Sequence, residues 1–160
     1  MRVLGLVMGL VAALPAQAQW SPVEGGMQHK ASGLTCPAPD AGFELKTQVA
    51  TDKGFSCRYT LRCEGACGGA AGFAAITWNP AMDFDTQFRS LATQQKLAVV
   101  DTPGPDWAGL PRLFAREGES FGAWWLVPSR GQPLNIGVFY NIAAEPAAQA
   151  LVEAAVRLNP

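Results

Sequence analysis

The sequence predicts an α+β fold built on one antiparallel sheet, and three observations carry the expectation. Between Phe55 and Cys63 apolar and polar residues alternate: Phe55, Cys57, Tyr59, Leu61 and Cys63 share one face, and Ser56, Arg58, Thr60 and Arg62 share the other. That is the pattern of a strand with one buried face. The elements then run strands, helix, strands, helix, without the βαβ alternation that a parallel sheet requires. Turn residues separate successive strands at short intervals, as in a meander. The expected architecture is an antiparallel sheet of about six to seven strands in two meander-like halves, with one helix between the halves and one C-terminal helix packed on the sheet.

Residues 1–18 have the three parts of a secretory signal. Arg2 supplies the positive end, Val3 to Leu14 is an apolar run, and Ala16-Gln17-Ala18 is a small-x-small cleavage site before Gln19. The run is shorter than the roughly 20 apolar residues needed to span a bilayer, so cleavage is expected, with no membrane span left after it. No cysteine stands where a lipoprotein would carry its lipid. The leader points to the periplasm or to secretion. Residues 19–160 are expected to form a single α+β domain, long enough to bury roughly two-thirds of its surface. Without Arg2 that segment carries 11 basic against 13 acidic residues, a formal charge of −2. This near-neutral balance gives no electrostatic footprint for nucleic acid.

In chain order, residues 20–27 read as a loosely held arm and His29 to Cys36 as a short strand, ended by Pro37, Pro39, Asp40 and Gly42. Phe43, Leu45, Thr47 and Val49 alternate with Glu44, Lys46 and Gln48 as a second strand, and Asp52-Lys53-Gly54 turns into the central one. Gly72 to Trp78 returns as a fourth. From Asn79-Pro80 the period becomes helical, with Phe84, Phe88 and Leu91 on one side and Asp83 as N-cap; the spacing predicts a helix to about Leu97. A proline- and glycine-rich loop occupies 101–111, a length often associated with function. Strands are expected at Arg112 to Arg116, Phe121 to Val127 and Leu134 to Ile142. Pro146 then opens a final helix with Leu151, Ala154, Ala155 and Leu158 as its apolar stripe.

This order of elements, with a helix after the first strands and an Ala/Leu/Val-rich helix closing the chain, resembles the PsbP-like fold of small lumenal and periplasmic proteins. The opening His29-Lys-Ala-Ser32-Gly33-Leu-Thr-Cys36-Pro37 is similar to one found in uncharacterised exported bacterial proteins. Neither resemblance implies an activity, because a fold hosts many functions.

Four cysteines in an oxidising compartment allow three pairings. The favoured one joins Cys36 to Cys57 and Cys63 to Cys67, the second pinching the bend at Glu64-Gly65-Ala66. The alternative reads Cys63-x-x-x-Cys67 as a copper-binding or thiol-redox pair with His29 as the distant ligand, since thiolates select Cu(I). The spacing resembles that of Sco-type copper proteins, but the strand order is not thioredoxin-like and no proline follows Cys67.

Catalytic patterns are sparse. Gly118-Glu119-Ser120-Phe121-Gly122 fits G-x-S-x-G, yet it falls in a turn between two expected strands, and His29, the only histidine, precedes the serine in the chain. Asp83 and Asp85 are explained by helix capping, and Glu117 and Glu119 flank a turn. The glycines from Gly65 to Gly72 lack the Lys-Ser/Thr ending of a phosphate loop. Catalytic residues, metal and cofactor are therefore expected to be none. Trp124 and Trp125 are adjacent in a strand, so their side chains point to opposite faces. Either a helix covers the second face, or an exposed Trp125 joins Asp106, Trp107 and Arg112 in a binding patch. The expected function is a non-catalytic periplasmic accessory or binding domain stabilised by disulfides, its partner an unknown protein or small apolar ligand.

Overall fold

The computed structural model describes residues 19–63 and 70–160. The expected leader and the bend that carries Cys67 lie outside the described residues. A small sheet comes first: β1 (Trp20–Val23), β2 (Gly26–His29) and β3 (Thr35–Pro37), in that order and antiparallel. The main sheet is built from β4 (Phe43–Thr51), β5 (Gly54–Arg62), β6 (Ala70–Trp78), β7 (Ala98–Val100), β8 (Leu113–Glu117), β9 (Ser120–Ser129) and β10 (Gln132–Asn141). Its strand order is β4-β5-β6-β10-β9-β8-β7, with every neighbouring pair antiparallel. Among the described residues there are two α-helices, α1 (Phe84–Gln94) and α2 (Glu145–Leu158), the second preceded by a 3-10 turn at Ile142–Ala144. The two meanders are thus β4-β5-β6 and β8-β9-β10 extended by β7, joined where β10 pairs with β6.

Local chemistry sets these elements. The β9–β10 turn holds Arg130 at φ 50° and Gly131 at φ 75°. Two positive φ values in a two-residue loop match the right-handed twist of the flanking strands. At the start of α1, Asp83 accepts from the Thr86 backbone N–H at 3.2 Å and from the Thr86 hydroxyl at 2.8 Å. Those bonds hold its carboxyl below the usual range and satisfy a backbone donor that would otherwise be orphaned. Pro146 lies in the first turn of α2, whose buried stripe includes Ala148, Leu151, Val152 and Ala155.

The alternation in the central strand places its apolar residues inward. Phe55, Cys57, Tyr59 and Leu61 are buried in a core shared with α2, the small sheet, and the inward residues of β6, β9 and β10. Three consecutive residues of β3 lock onto that core. Thr35 N–H donates to Asn159 Oδ1, and Asn159 Nδ2 returns a bond to Thr35 O; Cys36 is disulfide-bonded to Cys57; and Pro37 O accepts from the Tyr59 hydroxyl at 2.9 Å. Burial in turn pushes the Tyr59 phenol well above its ordinary pKa.

The expected single sheet of about six to seven strands is instead a seven-stranded sheet with a separate three-stranded one, and the largest differences from expectation lie in three segments. The N-terminal segment is no loose arm: Trp20 is buried against His29 and Phe55, and this apolar anchor makes 20–29 a hairpin. The segment from His29 to Cys36 is not one strand but a turn between two, closed by His29 N–H on Leu34 O and Gly33 N–H on His29 O. The first helix stops at Gln94, because Lys96 adopts φ 60° and Leu97 folds back beneath the helix, donating to Ala92 O. That reversal frees Ala98–Val100 to form the edge strand β7, which periodicity does not reveal.

Two predictions concern this core. The Cys36–Cys57 bond closes a loop with a sequence separation of 21, so its removal by Cys36→Ala with Cys57→Ala should cost about 3 kcal/mol, read as a lower urea midpoint. The second concerns His29, both of whose ring nitrogens are hydrogen-bonded and whose pKa burial lowers beneath the ordinary 6.5. A base with a depressed folded pKa takes up its proton in the unfolded chain first. Stability is therefore complete above about pH 6.5 and declines as pH falls through the window below it. Since the sequence holds 1 histidine, urea midpoints measured at about pH 5 and pH 7.5 should differ in the wild type and converge in His29→Gln.

Candidate ligand groove beside helix α1

The seven-stranded sheet is closed unequally on its two faces. On the α2 face, the 101–111 loop completes the core where the helix does not reach. Trp107 stacks on Trp125 at 5.7 Å and packs on Tyr140 at 5.6 Å, and Trp125 Nε1 donates to Gly109 O at 2.8 Å. Trp125 is 1% exposed, so the tryptophan considered for a surface patch is inside. Asp106 and Arg112 are exposed and Trp107 is half-buried, but the four do not make an open aromatic surface. The loop is a lid on the core.

The cysteine–histidine alternative meets the same kind of obstacle. His29 is fully buried, enclosed by Trp20, Phe55 and Trp78. Its Nε2 lies 2.8 Å from Thr51 O and its Nδ1 3.0 Å from Ser32 Oγ. A carbonyl only accepts, so Nε2 carries the proton and Nδ1 accepts from the serine hydroxyl. Neither nitrogen is open to a metal. Cys63 is disulfide-bonded, and Cys67 lies outside the described residues. Among the described residues no group of three or more His, Cys, Asp or Glu side chains could hold a metal ion, and no helix is long and apolar enough to cross a membrane. Ser120 stands at the β8–β9 hairpin, paired with Glu117 and Asn141 across the sheet, which is no strand-to-helix elbow.

The opposite face is covered by α1 over only part of its width. Register fixes three rows of side chains there. The first runs Ser56, Thr77, Asn135; the second Arg58, Ala75, Gly137, Trp124; the third Thr60, Phe73, Phe139, Gly122. The helix sits mainly over β7 and β8, with Phe88 stacked on Phe139 at 5.2 Å and Phe84 beside Trp124 at 6.3 Å. Between its inner side and the strands lies a groove of about 300 Å³. Its floor is the small pair Ala75 and Gly137. Its aromatic wall comprises Phe73, Phe88 and Phe139, while Trp124 and Phe84 close one end, and Arg58 stands at the other. Met82, carried by the turn that leads into the helix, forms part of the lip, and it and Phe73 are exposed.

Polar groups on the first row face the same space. Thr77 Oγ1 donates to Ser56 Oγ at 3.3 Å, and Trp124 Nε1 donates to Asn135 Oδ1 at 3.0 Å. Asn135 is 4% exposed, and with its oxygen occupied it offers its amide N–H groups to the groove.

Gly137 is the informative residue. It lies inside a ten-residue central strand, where glycine weakens a sheet and often marks the close approach of a ligand. Its φ is not in the left-handed region, and an added Cβ would meet nothing within 4 Å. Gly122, two strands from β6 on the same face, is the contrast: a Cβ there would come within 2.7 Å of the Phe139 ring. Packing explains Gly122 and does not explain Gly137.

Alternation in the sequence puts Ser56, Arg58 and Thr60 on the face opposite the core, and Trp124 opposite Trp125, and both assignments match the structure. Alternation does not single out Gly137, Asn135 or Phe73. The available signal is a lone glycine with no turn partner inside the apolar strand Leu134 to Ile142. No family model, no curated protein and no solved structure matches this chain.

Proposed function

We propose that the protein is an exported, non-catalytic accessory domain that binds a small, largely apolar ligand in the groove between α1 and the β5-β6-β10-β9 surface. This reading keeps the expectation drawn from the leader and from the PsbP-like order of elements, and moves the binding surface from the Trp107 loop to the other face of the sheet. Gly137 carries it: a central-strand glycine required neither by backbone conformation nor by packing, under an open volume lined by aromatic rings. The form agrees with the general anatomy of ligand sites, which are concave, mostly apolar and supplied with a few converging polar groups. Its size, about 300 Å³, is at the lower end of such sites and favours a small molecule over a protein segment. The disulfide and the three-residue clamp on β3 hold the sheet from behind, so the floor is formed before a ligand arrives.

If Gly137 is retained for a ligand, stability and binding should separate there. Gly137→Ala should raise stability by roughly 0.5–1 kcal/mol, measured by urea unfolding. Gly137→Leu should stay folded and weaken binding of the neutral dye N-phenylnaphthylamine by about tenfold or more, roughly 1.4 kcal/mol, because its side chain takes up the open space over the floor that the dye would fill. Unchanged dye affinity in a folded Gly137→Leu protein, or a dye site abolished instead by Trp107→Ala in a protein that keeps its fold, would refute the assignment.

A further inference from the structure

Resting on that reading, we infer that the groove's ligand is an amphipathic monoanion: a small carboxylic acid whose apolar body lies over Ala75 and Gly137 and whose carboxylate meets Arg58. Three observations lead there. First, among the described residues Arg58 is the only charged side chain lining the groove. It is exposed and, like most of the basic side chains, makes no ion pair among the described residues, so it is its place at the groove that distinguishes it. A guanidinium at the mouth of an apolar trough presents a planar fork that matches a carboxylate.

Second, two of the other polar groups lining the groove, Asn135 and Ser56, have donors to spare, while Thr77 has given its hydroxyl hydrogen to Ser56 and the Gln87 amide can donate or accept. Asn135 is buried with its oxygen committed to the Trp124 indole, leaving its amide N–H groups. Ser56 receives the Thr77 hydrogen and keeps its own hydroxyl hydrogen to give. No aspartate or glutamate among the described residues lines the cavity, so a cationic ligand would find no counter-charge there, while an anion or a ligand rich in acceptors finds donors on Arg58, Asn135 and Ser56.

Third, the dimensions suit one charged end and one apolar end. Arg58 and Trp124 are three strand positions apart in the same row, about 14 Å at normal strand spacing. The intervening floor carries no polar side chain. A body of one or two rings, or a short aliphatic chain, fits between the aromatic end and the guanidinium. A nucleotide, with several charges, would leave most of them unmatched.

Two dyes with one skeleton test this. N-phenylnaphthylamine is neutral, and anilinonaphthalenesulfonate adds a sulfonate, which stands in for a carboxylate in its single negative charge; both brighten on leaving water. The wild type should bind the sulfonate about fivefold more tightly than the neutral dye, the value for an ion pair worth about 1 kcal/mol at an exposed site, and added salt should shrink the difference. Arg58→Gln, a substitution at an exposed position, should bring the two affinities together by weakening only the sulfonate, and Arg58→Glu should reverse their order. Equal affinities in the wild type, or a preference for the sulfonate that survives in Arg58→Gln, would overturn the carboxylate inference while leaving the groove assignment standing. Failure of both dyes to bind would remove the groove assignment and the inference with it.

Discussion

The pairing of β10 with β6 is the constraint on which the rest of this structure depends. Because the last strand in sequence occupies the middle of the sheet, the chain leaving β6 cannot continue beside it and must restart at the far edge as β7. That displacement is four strand spacings, about 19 Å. The element that crosses it is α1, whose 11 residues span about 16 Å. A helix of that length, docked over β7 and β8, covers one half of its face and, among the described residues, leaves the half made by β4, β5 and β6 without a roof. The groove is the step between the covered and uncovered halves, a product of topology and helix length together.

The other face has no such step. There α2, the three-stranded sheet and the Trp107 loop close the core between them, and their attachments are of different kinds: the Asn159 amide on β3, the disulfide to β5, the Tyr59 hydroxyl, and the stacked tryptophans. His29 belongs to this group. Its ring fills a space among three aromatic side chains and ties the N-terminal hairpin to the end of β4 through Thr51 O. A sheet backed in this way presents its open face as a preorganised surface, which lowers the ordering cost that binding would otherwise carry.

Much of this fold is legible in the sequence because half-buried strands and capped helices leave periodic traces. The alternation from Phe55 to Arg62, the Asp83 cap and Pro146 each report a local preference that the tertiary structure keeps. Elements that exist through distant contacts leave no such trace. The β1–β2 hairpin depends on Trp20 reaching His29 and Phe55, and β7 depends on a left-handed Lys96. The candidate site is less legible for the same reason. Adjacent tryptophans imply two faces but not which face is covered, and Trp107 reads as an available loop residue although it is stacked on the buried Trp125. Gly137 reads as an ordinary weak point in a strand. Only the empty space above it distinguishes it from Gly122, and empty space has no sequence signature.

The central claim is that binding takes place on the α1 face, at the Ala75–Gly137 floor, and the two adjacent tryptophans offer a direct way to ask. Their indole N–H groups face opposite sides of the sheet, Trp124 toward Asn135 and Trp125 toward Gly109, and each gives its own signal in a proton–nitrogen correlation spectrum. On titration with N-phenylnaphthylamine, the Trp124 indole and the backbone amides of Ala75 and Gly137 should move together with one affinity while the Trp125 indole stays in place. Movement of the Trp107 and Trp125 indoles with Trp124 unaffected would place binding on the closed face and contradict the account.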